Sequence, residues 1–173
     1  MTPLESMLAT KCPRCLNGVS ATATSPLDER DCVVTAFSLA PKLGGDAACR
    51  VFGYPLADYN PNCKDDPHFV GPLTLRWNDD SESCVFDSDI HGYHGEMDSS
   101  AKIRGSGDAK IYICRQCGHN RFRVVVQFDY WDACDDLEED DPDLPVQDYF
   151  CNVIFAGTCT KCGNANRILD MDL

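Results

Sequence analysis

The residues best suited to chemistry are four cysteines near the C-terminus, arranged as two matching Cys-x-x-Cys-Gly units. The first unit contains Cys114 and Cys117, and the second contains Cys159 and Cys162. Zn²⁺ prefers four tetrahedral thiolate or imidazole ligands, and each unit supplies two. The glycine after each second cysteine allows the backbone to turn beneath a metal with positive φ. The sequence therefore predicts a four-cysteine zinc site, with a redox dithiol, disulfides or simple packing of the cysteines as the alternatives.

A redox dithiol is the weaker alternative because neither unit lies where a strand leads into a helix. A thioredoxin-like Cys-x-x-Cys pair belongs to a βαβ unit, and residues 118–122 and 163–167 show no amphipathic helical pattern. Two matched units are also better explained as halves of one site than as two redox centres. Four cysteine ligands leave no open coordination position, so we expect the zinc to be structural.

The block that contains these units, residues 110–170, resembles the zinc-ribbon superfamily. An apolar, strand-like run leads into each Cys-x-x-Cys-Gly unit. In residues 122–130 the apolar side chains alternate with polar ones, which predicts a strand with one buried face. Residues 149–155 are its predicted antiparallel partner. The segment between the units, 118–158, is longer than the common spacing, so the ribbon is predicted to carry an insertion.

A third pair, Cys12 and Cys15, is a candidate half of a second metal site. Its best mates in the sequence are His91 and His94, which lie in a glycine-bracketed segment and offer imidazole ligands. The alternative is a tight turn with two free thiols. The chain is thus predicted to bind one or two zinc ions, and the second site has other candidate ligands: Cys32, Cys49, Cys63 and Cys84.

Short apolar runs separated by turn residues dominate the rest of the chain. Strands are predicted at residues 32–39 and for a hairpin of 69–77 with 84–90, whereas the small polar segment 20–25 is predicted to be a linker or surface loop. A capping-box pattern from Thr2 to Glu5 predicts a short helix that ends near Ala9. The predicted fold class is mainly β (β-rich α+β), with antiparallel sheets, a C-terminal zinc ribbon and a short N-terminal helix.

The Ser/Gly-rich segment before Lys110 suggests a domain boundary. We predict a β-rich N-terminal region at 1–105 and a zinc-ribbon-like module at 106–173, with an acidic insertion at 129–148. One compact domain is the alternative, because 173 residues can bury a single core.

The 12 cysteines alone are compatible with a secreted disulfide scaffold. The N-terminal residues, however, lack the basic and apolar regions of a signal peptide. No stretch of 18 apolar residues is present, so no membrane span is predicted. We therefore expect a reduced, cytoplasmic protein.

The net charge is −13, from 28 acidic and 15 basic residues. This excess opposes phosphate backbones and favours basic partners. Between Asp129 and Asp148 there are ten acids and no base. We predict that this stretch forms or flanks a surface that binds a basic protein, with four central carboxylates as the contact residues: Asp135, Asp136, Glu138 and Glu139. The alternative is a solvated loop that only keeps the protein soluble.

The sequence contains none of the common catalytic motifs that we sought, so we expect a protein that is not an enzyme. The predicted function is that of an acidic, zinc-containing binding or inhibitory module for a basic protein, similar in charge and size to immunity proteins and antitoxins. The alternative is a zinc-ribbon nucleic-acid-binding or transcription-type adaptor. That alternative rests on the bases near the cysteine units: Arg115, Arg121, Arg123, Lys161 and Arg167.

Overall fold

The structure is a computed structural model that describes residues 3–8, 10–93, 103–131 and 143–173. The helix α1 is Pro3–Leu8, and 3₁₀ turns occur at Arg14–Leu16, Leu56–Asp58, Pro61–Cys63 and Val146–Asp148. The strands are β1 (Val19–Ala23), β2 (Val33–Pro41), β3 (Arg50–Pro55), β4 (Phe69–Arg76), β5 (Glu82–Phe86), β6 (Lys110–Ile111), β7 (Phe122–Tyr130), β8 (Asn152–Cys159) and β9 (Ala165–Asp172).

The strands form two antiparallel sheets. Sheet A has the order β1-β2-β7-β8-β9, and sheet B has the order β5-β4-β3-β6. The predicted fold class, mainly β with antiparallel sheets and a short N-terminal helix, is confirmed. Within the described ranges, no helix has the length and apolar character needed to cross a bilayer.

Strand pairing crosses the boundary predicted at residue 105. In sheet A, β2 pairs with β7 from Val33↔Tyr130 to Ser38↔Val125. In sheet B, β6 pairs with β3. One buried hydrophobic cluster contains side chains from both sheets. The regions 1–105 and 106–173 therefore share both sheets.

Strand β7 is buried along its core-facing side and, from Gln127 onward, on its opposite face as well. Its apolar face points to the core, where the ring centroids of Phe128 and Phe150 are 4.6 Å apart. The opposite face lies beneath residues 24–32, and the side-chain oxygen of Gln127 accepts hydrogen bonds from the backbone N–H groups of Leu27 and Asp28. The core-facing residues are each 2% exposed or less: Phe122, Val124, Val126, Phe128 and Tyr130.

The segment predicted as a linker at residues 20–25 is instead largely strand β1. It pairs along β2 at the edge of sheet A, from Val19↔Pro41 to Ala23↔Phe37. Its small Ser, Ala and Thr side chains show little apolar alternation because an edge strand buries little of its surface. The predicted hairpin is confirmed as the β4–β5 pair, whereas the predicted helix end at Ala9 lies outside the described residues.

Candidate metal centre

The two cysteine units meet at one end of sheet A because of the register of three strands. The first unit directly precedes β7, and the second unit connects β8 to β9. At this end Phe122 pairs with Cys159, and Thr158 pairs with Ala165. The strand register therefore brings together cysteines that are far apart in the sequence.

The two units fold into matching turns. In the first, the N–H of Gly118 donates to the carbonyl of Cys114 at 2.9 Å, and in the second, Gly163 donates to Cys159 at the same distance. Both glycines have a φ of 75°, in the left-handed region that glycine adopts without strain. The predicted role of these glycines is confirmed, since each allows its turn to close beneath the sulfur atoms.

The four sulfur atoms are arranged as a metal-ligand set. The Sγ atoms of Cys114 and Cys162 are 3.6 Å apart, as are those of Cys117 and Cys159. All four Sγ atoms lie within 4.8 Å of one another. A tetrahedron with Zn–S distances of 2.3 Å has edges of about 3.8 Å, whereas a disulfide bond is about 2.05 Å long. The predicted four-cysteine cluster is confirmed, and its dimensions fit a metal ion.

The turns also favour ionised sulfur atoms. Burial opposes ionisation of Cys114, but backbone N–H groups from Cys117 and Gln116 outweigh it and lower its pKa to about 6. The equivalent N–H groups lower the pKa of Cys159 against the same effect of burial. Since a metal binds thiolates and not thiols, these N–H groups prepare the two sulfur atoms for coordination.

The Cys162 thiol holds its proton more strongly than those of Cys114 and Cys159. A hydrogen bond from the Asn164 N–H favours the Cys162 thiolate, but burial and the three neighbouring sulfur groups outweigh it and raise its pKa to about 12. Four negative sulfur atoms repel one another unless a cation lies between them. The cluster therefore holds a proton or a metal ion at neutral pH.

A buried asparagine supports the cluster and was not identified from the sequence. Asn166 is fully buried, and its Nδ2 donates to the Cys114 Sγ at 3.5 Å. Its Oδ1 accepts the backbone N–H of Arg115 at 3.1 Å. The local sequence does not single out Asn166, because β9 contains other polar side chains, such as Arg167, Asp170 and Asp172.

The structure describes three of the four residues of the candidate second metal site: Cys12, Cys15 and His91. Cys15, in the turn Arg14–Leu16, and His91 line the same pocket of about 310 Å³. Among the described residues, the four-cysteine cluster is the one group of three or more metal-binding side chains, and it includes none of Cys12, Cys15 and His91. His94 lies outside the described residues. The second site therefore stays a prediction.

The predicted partner-binding carboxylates, Asp135, Asp136, Glu138 and Glu139, also lie outside the described residues. The structure describes the chain up to Trp131 on one side of them and from Asp143 on the other. The acidic stretch leaves sheet A after Tyr130, at the end opposite the cysteine cluster.

No protein family, curated protein or solved structure matches this chain. Its function is therefore inferred from the chemistry of the cluster and the distribution of charge.

Proposed function

We propose that the cysteine cluster holds a structural Zn²⁺ ion and that the protein is an acidic binding module for a basic protein partner. The zinc proposal is supported by four sulfur atoms at tetrahedral separations. The partner proposal is supported by one observation: acidic residues from separate segments gather at the end of sheet A that lies away from the cysteines.

Zinc is the metal that this donor set favours. Thiolates are soft ligands, and a tetrahedral set of four sulfurs is typical of structural zinc sites. One cysteine unit before β7 and another between β8 and β9 are arranged as in a zinc ribbon, which supports that interpretation. With all four positions held by protein, we assign the metal a role in stability and not in catalysis.

The acidic end of sheet A, which we define as the exposed residues Asp31 and Asp172 and the residues beside them, lies where three segments meet. Asp31 precedes β2, Asp172 ends β9, and β7 ends between them, with the buried Asp129 near its end. Asp129 and Asp172 both pair with Asn152, so β7 and β9 reach this end of the sheet on either side of β8. Seven residue steps of β7 place this end roughly 24 Å from the cysteines.

The acidic stretch 132–148 extends from this same end of the sheet. Its sequence adds further carboxylates to those of the acidic end. Three guanidinium groups offset part of this charge: Arg30 lies between Asp28 and Asp129, Arg167 pairs with Asp28 and Asp170, and Arg14 pairs with Asp148. The exposed Asp31 and Asp172, together with the other carboxylates of the stretch, still outnumber these cations. The remaining negative field attracts a basic partner and accelerates its association.

The nucleic-acid alternative is weakened by the contacts of the bases near the cysteines. Arg167 bonds both carboxylate oxygens of Asp28, at 2.7 and 2.8 Å. Arg123 lies 3.6 Å from Asp46, and Arg115 donates to the carbonyl of Arg167. Arg167 and Arg123 are thus already paired with carboxylates, and such cations contribute less to phosphate binding, since that binding depends on unneutralised positive charge.

Neutralising the acidic stretch is expected to slow association with a basic partner. The variant carries Asp135→Asn, Asp136→Asn, Glu138→Gln and Glu139→Gln, and the probe is a lysine-rich synthetic polypeptide. Because such charges act mainly on the encounter rate, we expect the association rate at low salt to fall on the order of tenfold, with a flatter salt dependence. Stopped-flow fluorescence measures both.

A matched control also neutralises four carboxylates, but on the sheet B side of the protein. Asp65→Asn, Asp80→Asn, Glu82→Gln and Asp108→Asn change exposed residues, and asparagine tolerates the positive φ of 64° at position 80. We expect the control to retain most of the wild-type association rate. Equal rates in both variants, or tight salt-dependent binding of duplex DNA by the wild type, would contradict the proposed function.

A further inference from the structure

The face of sheet A covered by residues 24–32 carries a row of polar side chains at its acidic end. Asp129, Asn152 and Asp172 are neighbours in strand register. Asp129 is 2% exposed and Asn152 is 4% exposed. Water therefore has little access to the first two, and their polar atoms depend on protein partners.

Hydrogen bonds connect this row to the covering segment. The Oε1 of Gln127 accepts the backbone N–H groups of Leu27 and Asp28 at 2.7 and 3.0 Å. The Nε2 of Gln127 donates to the Asp129 Oδ1 at 2.9 Å. Asp129 is thus connected to the segment that carries Asp28.

The same segment is connected to the other side of the row. The Nδ2 of Asn152 donates to the Oδ1 atoms of Asp172, at 2.8 Å, and Asp170, at 3.3 Å. Arg167 donates to Asp170 at 3.0 Å and to both carboxylate oxygens of Asp28. These contacts form a ring of polar groups that lacks one hydrogen bond, between the side chains of Asp129 and Asn152.

The missing hydrogen bond lies between two acceptor groups, the side-chain oxygen of Asn152 and the carboxylate of Asp129. The Oδ1 of Asn152 is buried and has no hydrogen-bond partner among the residues that the structure describes. Since Nδ2 of the planar amide faces β9, Oδ1 faces β7, where Asp129 is the register neighbour. Turning the amide over would place Oδ1 against Asp170 and Asp172 instead. In either orientation the amide oxygen faces a carboxylate, so a donor is missing.

We propose that the Asp129 carboxyl carries a proton and donates it to the Oδ1 of Asn152, and that loss of this proton opens the ring where the acidic stretch leaves the sheet. The protonated form gives every side chain of the ring a partner. The ionised form places two buried acceptors side by side. The hydrogen bond between Asp129 and Asn152 therefore completes the ring only while Asp129 is protonated. It lies where the acidic stretch begins, and it does not depend on which partner that stretch binds.

The surroundings of Asp129 favour the protonated form. Burial is the largest effect that raises its pKa, and the charges of Asp170 and Asp28 add to it, against Gln127 and Arg30, which lower it. The Arg30 Nε lies 3.5 Å from the Asp129 Oδ2, too far for a strong hydrogen bond. The ionisable groups around Asp129 come from two segments: Asp28, Arg30 and Cys32 from the covering segment, and Asp170 with Asp172 from β9.

The direction of the pH dependence follows from this raised pKa. An acid with a higher pKa in the folded state than in the unfolded state binds its proton more tightly when folded. Its stabilising contribution is complete below the unfolded pKa and is lost as the pH rises through the folded pKa. We therefore expect the β7–β8 end to be less stable in alkaline than in mildly acidic solution.

Carboxyl carbon NMR of the full-length, zinc-loaded protein tests the proton assignment directly. We expect the Asp129 ¹³Cγ signal to titrate with a midpoint clearly above the ordinary aspartate value of about 3.9. A midpoint at or below that value would show that Asp129 is ionised as the partner of Arg30 and would overturn the proposal.

Asp129→Asn provides a second test, because its amide can donate permanently to the Asn152 Oδ1 while its oxygen accepts from Gln127. At roughly pH 8.5 we expect the Tm of this variant to exceed that of the wild type by about 2–4 °C. The difference is expected to shrink on acidification. The control Asp65→Asn removes an exposed acid and is expected to show no such trend. A lower Tm than the wild type at alkaline pH would contradict a protonated Asp129.

Discussion

Replacing Cys117 by serine is expected to release zinc and unfold the cysteine end of sheet A. A serine hydroxyl does not ionise near neutral pH, so the cluster loses one of its four ligands. Structural zinc in small modules contributes on the order of 10 kcal/mol to folding, and the lost part here is expected to be at least about 5 kcal/mol. For a chain of this size the Tm is expected to fall by roughly 10–20 °C, measured by circular dichroism.

Cys162→Ser is expected to have the same effect, because the Sγ of Cys162 lies 3.6 Å from the Sγ of Cys114 in the same cluster. The control is the double variant Cys12→Ser, Cys15→Ser, which leaves the cluster intact. We expect a smaller loss from this control, limited to the packing of the buried Cys15. If the cluster variants and the control lost equal stability, the four-cysteine cluster would not contribute more to stability than the Cys12 and Cys15 pair, contrary to this account.

Phe86→Ala is expected to destabilise both sheets together. Phe86 ends β5 in sheet B and is fully buried, and its ring lies 6.3 Å from that of Phe155 in sheet A. Removing a buried phenylalanine side chain costs about 3–5 kcal/mol, which corresponds to a Tm lower by roughly 6–20 °C. Because the two sheets share one core and each contains strands from both sides of residue 105, we expect a single transition.

Two probes test that cooperativity in a Trp131→Phe background. The fluorescence of Trp77, beside β4, reports on sheet B, and zinc release to a coloured chelator reports on sheet A. We expect the two transitions to coincide. The control Ile90→Ala changes a side chain that is 58% exposed and is expected to cost about 0.5 kcal/mol or less. Separate transitions for the two probes would mean that residues 1–105 and 106–173 fold independently.

The features predicted from the sequence are those with local signals. The matched Cys-x-x-Cys-Gly units predicted the cluster because the ligand type and the turn glycine lie within five residues of each other. The alternation of Phe122 to Tyr130 predicted β7 because a strand exposes its faces with a period of two. Both signals are complete within a short window of sequence.

The features that were not predicted depend on contacts between distant residues. The pairing of β2 with β7 joins segments that are far apart in the sequence, and strand order is set by the burial of the whole core. The burial of Asp129 depends on residues 24–32, which cover it. Asn166 supports Cys114 across the cluster. Each of these polar residues is explained by a neighbour that the local sequence does not reveal.

Elemental analysis of the reduced protein, purified without chelator, tests the central claim most directly. The four Sγ atoms lie within 4.8 Å of one another. We therefore expect at least about one equivalent of zinc per chain, bound tightly enough to survive gel filtration. Less than about half an equivalent of metal would contradict a structural zinc site in this protein.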